Sequence, residues 1–158
     1  LPPQPIGNEA TLDVLGVDHN QWDQKFGSCM RLHGNLSVPD TAGMNMQVVV
    51  HFFWQTPDGR LGEPVGSKDA AFADVHWDAA TSAPLIPIPQ GGAKLGWRVQ
   101  IPYDVMLLPT GQYVQVMTPY GPQWQYKPAT SHLAAVAQLF IDGFGVKASA
   151  PIRFYVTQ

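Results

Sequence analysis

Two histidines and two aspartates are the residues of this sequence whose types come closest to a metal site. His33 and His51 lie on either side of a turn near residues 41 and 42, so paired strands would place them nearly opposite each other. Asp18 and Asp23 add the carboxylates that hard cations prefer. Zinc needs three or four ligands, and the sequence indicates only two. The favoured interpretation is therefore that the histidines are hydrogen-bonded strand residues and that the aspartates cap turns. A metal-dependent enzyme or metal-binding domain that uses His33 and His51 stays an open alternative.

A second candidate is the aromatic segment TPYGPQWQYKPATS, residues 118–131, which carries a single charge at Lys127. Its rings could form a platform for sugar rings, with glutamine amides at the edge. The favoured interpretation is a proline-stiffened loop that acts as a lid over an open end of the domain. The candidate ligand-binding residues are Tyr120, Gln123, Trp124, Gln125 and Tyr126.

Other catalytic signatures are missing from the sequence. There is no Gly-x-Ser-x-Gly elbow and no phosphate loop, and Glu9 and Glu63 are not marked as a carboxylate pair. Cys29 is the single cysteine, and its apolar neighbours predict a buried, inert thiol. We therefore predict that the protein is not an enzyme and needs no cofactor.

Length and composition limit the architecture and the partners. A chain of 158 residues with 45% hydrophobic residues fits one domain with its own core. The net charge of -3 disfavours nucleic acid as a partner. No apolar run reaches the roughly 18 residues that a membrane span requires, so no membrane-spanning segment is expected.

The start of the sequence is rich in proline, with LPPQP as its first five residues. We interpret residues 1–9 as a linker and residues 10–158 as the folded domain. This start, the scarce charge (13% of residues) and the many Gln and Pro predict a secreted or periplasmic (cell-envelope) bacterial protein.

Alternation with period two predicts strands through most of the domain. In CMRLHGNLSV, residues 29–38, apolar and polar side chains alternate, which is typical of a half-buried antiparallel strand. Further strands are expected over 10–18, 44–54, 95–103, 112–117, 133–142 and 151–158, and a short one at 71–76. The prediction is an all-β fold: a single antiparallel β-sandwich of about 7–8 strands. Its predicted core is Leu12, Val14, Met30, Leu32, Leu36, Val48, Val50, Phe52, Trp97, Val99, Ile101, Leu139, Ile141, Phe154 and Val156.

Several short motifs occur in a familiar order. They are Val17-Asp18-His19-Asn20, Met30-Arg31-Leu32-His33, Phe52-Phe53-Trp54, Asp58-Gly59, Ile101-Pro102-Tyr103 and Leu107-Leu108-Pro109-Thr110-Gly111. With them, residues 12–117 resemble a small all-β accessory domain of bacterial multi-domain or exported proteins. The resemblance implies an immunoglobulin-like or C2-like sandwich and no catalytic residues. The sequence departs from that group in its GSCM step and in the aromatic segment toward its end.

The function expected from these observations is a non-catalytic accessory or interaction module of an exported bacterial protein. Its partner would be another protein or an envelope component. The alternative is a carbohydrate-binding module that holds a glycan on Tyr120, Trp124 and Tyr126.

Overall fold

Twelve β-strands and two 3₁₀ helices make up the named elements of residues 9–41 and 43–158, which the computed structural model describes. Except for Glu9, the expected linker therefore lies outside the described residues. The elements are β1 (Thr11–Asp23), β2 (Gly27–Val38), β3 (Asn45–Gln55), β4 (Leu61–Pro64), η1 (Ala70–Phe72), β5 (Ala80–Ser82), β6 (Ile86–Pro87), β7 (Ala93–Pro102), η2 (Tyr103–Val105), β8 (Gln112–Thr118), β9 (Gly121–Lys127), β10 (Thr130–Ile141), β11 (Phe144–Ala148) and β12 (Ile152–Thr157).

These strands form three antiparallel sheets. The first has the order β1-β2-β7. In the second, β3 and β10 lie side by side, β11 and β12 pair with β10, and β4, β5 and β6 pair with β3. The third is the hairpin β8-β9. The all-β, antiparallel part of the prediction is therefore confirmed.

One apolar cluster draws on both of the larger sheets. Strand β2 alternates as predicted, with Met30 and Leu32 fully buried while Asn35 is exposed. Every predicted core residue is buried in this cluster except Val14 and Phe154, which are partly buried against it. Burying one face of each strand removes apolar surface from water. Each Å² that is buried stabilises the folded state by about 25 cal/mol, which is the main stabilisation of such a fold.

The single thiol is also buried. The side chain of Cys29 has no exposed surface, and burial raises the pKa of its thiol. The prediction of a buried cysteine is confirmed.

The predicted strand at residues 71–76 is wrong. The Asp69 carboxylate accepts a hydrogen bond from the Ala71 N–H and caps the 3₁₀ turn η1. The Asp74 carboxylate then accepts from the backbone N–H groups of His76 and Asp78. Aspartates that bond to nearby backbone favour turns over sheet pairing.

The expected number of strands is also too low. Four of the additional strands in the described residues, β4, β5, β6 and β11, have five residues or fewer. The fifth is β9, which the sequence interpretation takes as a loop. By contrast, the apolar run at 133–142 is the strand β10, as predicted. The predicted turn near residues 41 and 42 falls between β2 and β3, and residue 42 lies outside the described residues.

No helix in the described part of the chain has the length and apolar character needed to cross a bilayer.

Gly34, in the middle of β2, meets the ring of Trp97. It pairs with Trp97 on β7 and with Val14 on β1. A Cβ at this position would lie 2.7 Å from Cζ2 of Trp97 and would collide with the backbone oxygen of Asp13. Glycine therefore allows the indole and the β1 backbone to approach β2 from two sides.

We expect Gly34→Ala to destabilise the fold by about 3 kcal/mol, because overpacking a tight site costs 1–3 kcal/mol or more. That loss corresponds to a melting temperature lower by roughly 6–12 °C for a chain of this size. Differential scanning calorimetry measures it.

Gly96→Ala is the matched control, because a Cβ there lies 3.6 Å from its nearest neighbour, the Gly34 oxygen. Equal melting temperatures for the two variants would contradict the proposed contact.

Candidate functional site

The aromatic segment forms most of a β-hairpin. Strands β8 and β9 pair only with each other among the described residues and are joined by Pro119 and Tyr120. The Thr118 hydroxyl donates to the Gly121 carbonyl at 2.7 Å and accepts from the Tyr120 N–H at 3.2 Å. Pro119 fixes φ at the first turn position, and Gly121 has φ +103°, a conformation that favours glycine. The turn chemistry thus converts a proline-rich segment into a hairpin.

The hairpin has two faces with different chemistry. Its strands pair without a register shift from Gln112 opposite Lys127 to Thr118 opposite Gly121. Side chains directly opposite each other share a face, and the faces alternate along each strand. What we call the aromatic face carries Tyr113, Gln115, Met117, Pro122, Trp124 and Tyr126. The second face carries Gln112, Val114, Val116, Gln123, Gln125 and Lys127.

The rings of the aromatic face are exposed to solvent. Trp124 is 69% exposed, Tyr113 70% and Tyr126 48%, while Tyr120 at the turn is 92% exposed. A lid would bury its rings against the core. The prediction that this segment is a lid is therefore wrong.

The structure separates the predicted binding residues from one another. Gln123 and Gln125 lie on the second face, opposite Val116 and Val114, so they do not border a ligand held on Trp124. The amide that shares a face with Trp124 is Gln115, directly opposite on β8. The period-two pattern of QYVQVM, once paired with residues 122–127, would have identified it.

The aromatic face is ridged. The rings of Tyr113 and Tyr126 have centroids 5.2 Å apart and planes inclined at 57°. Stacking on a sugar ring needs a flat aromatic surface, and this pair does not provide one.

The histidines proposed as metal ligands lie in different sheets. His33 on β2 pairs with Gly16 and Arg98, whereas His51 on β3 pairs with Val136 and Ala80. The expectation that they face each other is wrong, because β2 and β3 are consecutive in sequence but do not pair.

A carboxylate does approach one of these histidines. Asp18 Oδ2 lies 3.3 Å from Nδ1 of His33. Among residues 9–41 and 43–158, no three His, Cys, Asp or Glu side chains are grouped to hold a metal ion. The Asp18–His33 contact is therefore an exposed pair on the outer surface of β1 and β2, which contributes little stability.

Asp23 caps the turn between β1 and β2. Its carboxylate accepts from the Gln100 side-chain amide at 2.9 Å and from the backbone N–H groups of Lys25 and Phe26. These bonds, that from Gln100 first, lower the pKa of Asp23. The turn-capping interpretation of this aspartate agrees with the contacts.

A cleft of about 880 Å³ contains a pair of groups that sequence reasoning did not connect. Nδ1 of His19 lies 2.6 Å from the Tyr103 hydroxyl, which also accepts from the Asn20 N–H at 3.1 Å. Asp104 and Arg153 line the same cleft. The motifs at 17–20 and 101–103, which contribute to the family resemblance, meet here.

The local backbone explains how His19 reaches Tyr103. The β1–β2 register shifts between Asp18 and Gln21, and Asn20 in this bulge has φ +56°. Bulges redirect side chains and often lie near functional sites. Tyr103 is buried, and burial raises the pKa of its phenol, so it remains a neutral hydrogen-bonding group at neutral pH. The pair joins β1 to η2, directly after β7, and its members lie 84 positions apart in sequence.

Comparisons with known proteins do not assign the chain to a family. No protein family and no curated protein sequence matches it significantly. One similar structure is the alkylpurine DNA glycosylase AlkC of Pseudomonas fluorescens, bound to DNA containing an abasic site analog. The match covers 92% of this chain and 30% of AlkC at 13% identity, with a TM-score of 0.30. The chain thus spans less than a third of that protein.

We expect Tyr103→Phe to destabilise the fold by about 1 kcal/mol, since it removes the partner of both His19 and Asn20. The melting temperature should fall by roughly 2–4 °C, and the Asn20 amide resonance should shift in an NMR spectrum. Tyr155→Phe is the control, because Tyr155 lines the same cleft but is 63% exposed. Identical effects of the two changes would refute the role of the Tyr103 hydroxyl.

We expect Asp23→Ala to destabilise the protein at neutral pH and to matter less in acid. Because the folded state lowers the pKa of Asp23 below 3.8, its stabilisation is present above about pH 4. It is lost as the pH falls through the lowered value. Urea unfolding of wild type and variant between about pH 7 and pH 2.5 measures this. A difference between wild type and Asp23→Ala that stays constant over this pH range would contradict the assignment.

Proposed function

We propose that this chain is a non-catalytic interaction module of an exported bacterial protein, which binds a protein of the cell envelope through the aromatic face of the β8–β9 hairpin. The observation that carries the proposal is that this face is largely apolar and exposed and that, in the described part of the chain, β8 and β9 pair with neither of the larger sheets.

The composition of the face supports binding. Tyr, Trp and Met are enriched in protein interfaces, where large rings account for much of the binding energy. Of the residues in β8 and β9, only Lys127 is charged, and it lies on the second face. A partner therefore meets an uncharged surface and loses little energy by desolvating it.

Ring geometry favours a protein over a glycan. Because the ring planes of Tyr113 and Tyr126 are inclined at 57°, the uneven surface that they form suits the side chains of a protein better than it suits a flat sugar ring. Carbohydrate binding is the second candidate function, and the amide of Gln115 opposite Trp124 is the observation that favours it.

The proposed fold is a β-sandwich of immunoglobulin-like or C2-like type. Its support is the shared apolar cluster, to which β2 contributes Met30 and Leu32 and β3 contributes Val50 and Phe52. Sheets that pack face to face bury alternate residues of each strand in this way.

The non-catalytic part of the proposal assigns the His19–Tyr103 pair a structural role. The phenol accepts a hydrogen bond from the β1 backbone and contacts His19 on the same bulge, so it holds β1 against η2, which directly follows β7. Export is proposed from the low charged fraction of 13% and is tested by fractionation of the native host.

A photo-crosslinking experiment tests the partner. The benzophenone amino acid p-benzoyl-phenylalanine replaces Trp124 in the full protein in its native host, and irradiation should give one discrete protein adduct. The same replacement at Val75, which is 91% exposed and outside the hairpin, is the control and should give none. Capture of a glycan on an array, abolished by Trp124→Ala, would replace the protein partner by the carbohydrate candidate.

Stability must be followed in parallel. Since Trp124 is largely exposed, Trp124→Ala should change the melting temperature by less than about 2 °C, as surface substitutions usually alter stability by under 0.5 kcal/mol. A fall of many degrees would show that the ring packs against the domain and would contradict an exposed binding surface.

A further inference from the structure

The two outer edges of the β8–β9 hairpin differ, and Pro122 shows how. Pro122 is paired with Met117 without a register shift, yet proline has no N–H to donate. It therefore occupies a position whose main-chain groups point away from β8. Because antiparallel pairs alternate, Trp124 and Tyr126 point outward on β9 in the same way.

The residues opposite them point outward on β8. Tyr113, Gln115 and Met117 each turn an N–H and a C=O to the outer edge, and among the described residues no other strand pairs there. The β8 edge is thus an uninterrupted row, whereas Pro122 leaves a missing donor in the β9 edge. An open row of this kind is a template for another strand.

We infer that a second copy of this chain occupies the β8 edge, pairing antiparallel with β8 about a two-fold axis at Gln115. In this register, Tyr113 lies opposite Met117 of the second copy, and Gln115 lies opposite its own counterpart. All of these residues point outward, so the main chains exchange about six hydrogen bonds.

The side chains of β8 complement themselves in this register. On the aromatic face, each Tyr113 ring meets the Met117 thioether of the second copy, a favourable sulfur–aromatic contact. The Gln115 amides meet at the axis and can bond to each other. On the second face, Val114 meets Val116 of the second copy. Strand β8 has no charged residue, so no like charges oppose each other.

A polypeptide fits this edge better than any other ligand class, because only a strand repeats donors and acceptors at the spacing of the row. A second copy fits it because reversal about Gln115 matches aromatic to thioether and valine to valine. The resulting four-stranded sheet places both aromatic faces on the same side. This inference does not depend on the partner proposed above.

Sedimentation equilibrium of the purified chain over about 5–500 µM tests the association. We expect the mass to rise with concentration from 17.3 kDa toward twice that value. Gln115→Lys should weaken association at least tenfold, since it places two like charges directly opposite each other at the axis. Gln125→Lys, the same change on β9, should leave it unaltered.

Two variants with opposite charges at residue 115 distinguish a loss of strand pairing from misfolding. Gln115→Lys and Gln115→Glu should each be monomeric alone, and their equimolar mixture should recover a dimer. A wild-type chain that stays monomeric up to about 500 µM would overturn the inference. So would equal weakening by Gln115→Lys and Gln125→Lys, or a mixture that remains monomeric.

Discussion

The close approach of Trp97 to Gly34 is the constraint on which the first sheet depends. Because β2 has no side chain there, the indole of β7 and the backbone of β1 both come against it. Immediately beyond this point the register of β1 on β2 shifts by one residue, between Val14 and Gly16. A one-residue shift reverses which side chains face the core, so Val17 comes to lie against the apolar cluster.

Strand β1 is irregular a second time farther along the chain. A second shift, between Asp18 and Gln21, sets His19 and Asn20 outside the regular ladder. Strand β1 thus begins in the apolar core and, farther along, places the His19 imidazole in the cleft next to Tyr103. The imidazole contacts the Tyr103 hydroxyl, and Tyr103 is the first residue of η2, directly after the strand β7 that carries Trp97.

Local patterns in the sequence were sufficient for the long strands β1, β2, β3 and β10 and for much of the core. The alternation in β2 predicted burial of Met30 and Leu32 because a strand repeats every two residues. It could not predict that the chain leaves one sheet for another between Val38 and Asn45, and for that reason His33 and His51 were wrongly placed together. Pairing between distant strands is a property of the whole fold, which no window of sequence contains.

The candidate site illustrates the same limit. Proline in residues 118–131 indicated a loop, but Pro122 is compatible with a strand when its nitrogen points outward. The exposure of Trp124 could not be deduced, since it depends on the hairpin remaining apart from the larger sheets. The His19–Tyr103 contact joins residues that are too far apart in sequence for any spacing rule to find.

The missing N–H of Pro122 has a consequence for growth by edge addition. A strand that joins the hairpin at β8 leaves β9 as the new boundary, and that boundary lacks one donor in its row of outward groups. Addition there is weaker than at β8, so the surface supports one round of pairing and opposes a second. Assemblies with one open edge and one obstructed edge close as small complexes, whereas chains with two open edges propagate into fibres.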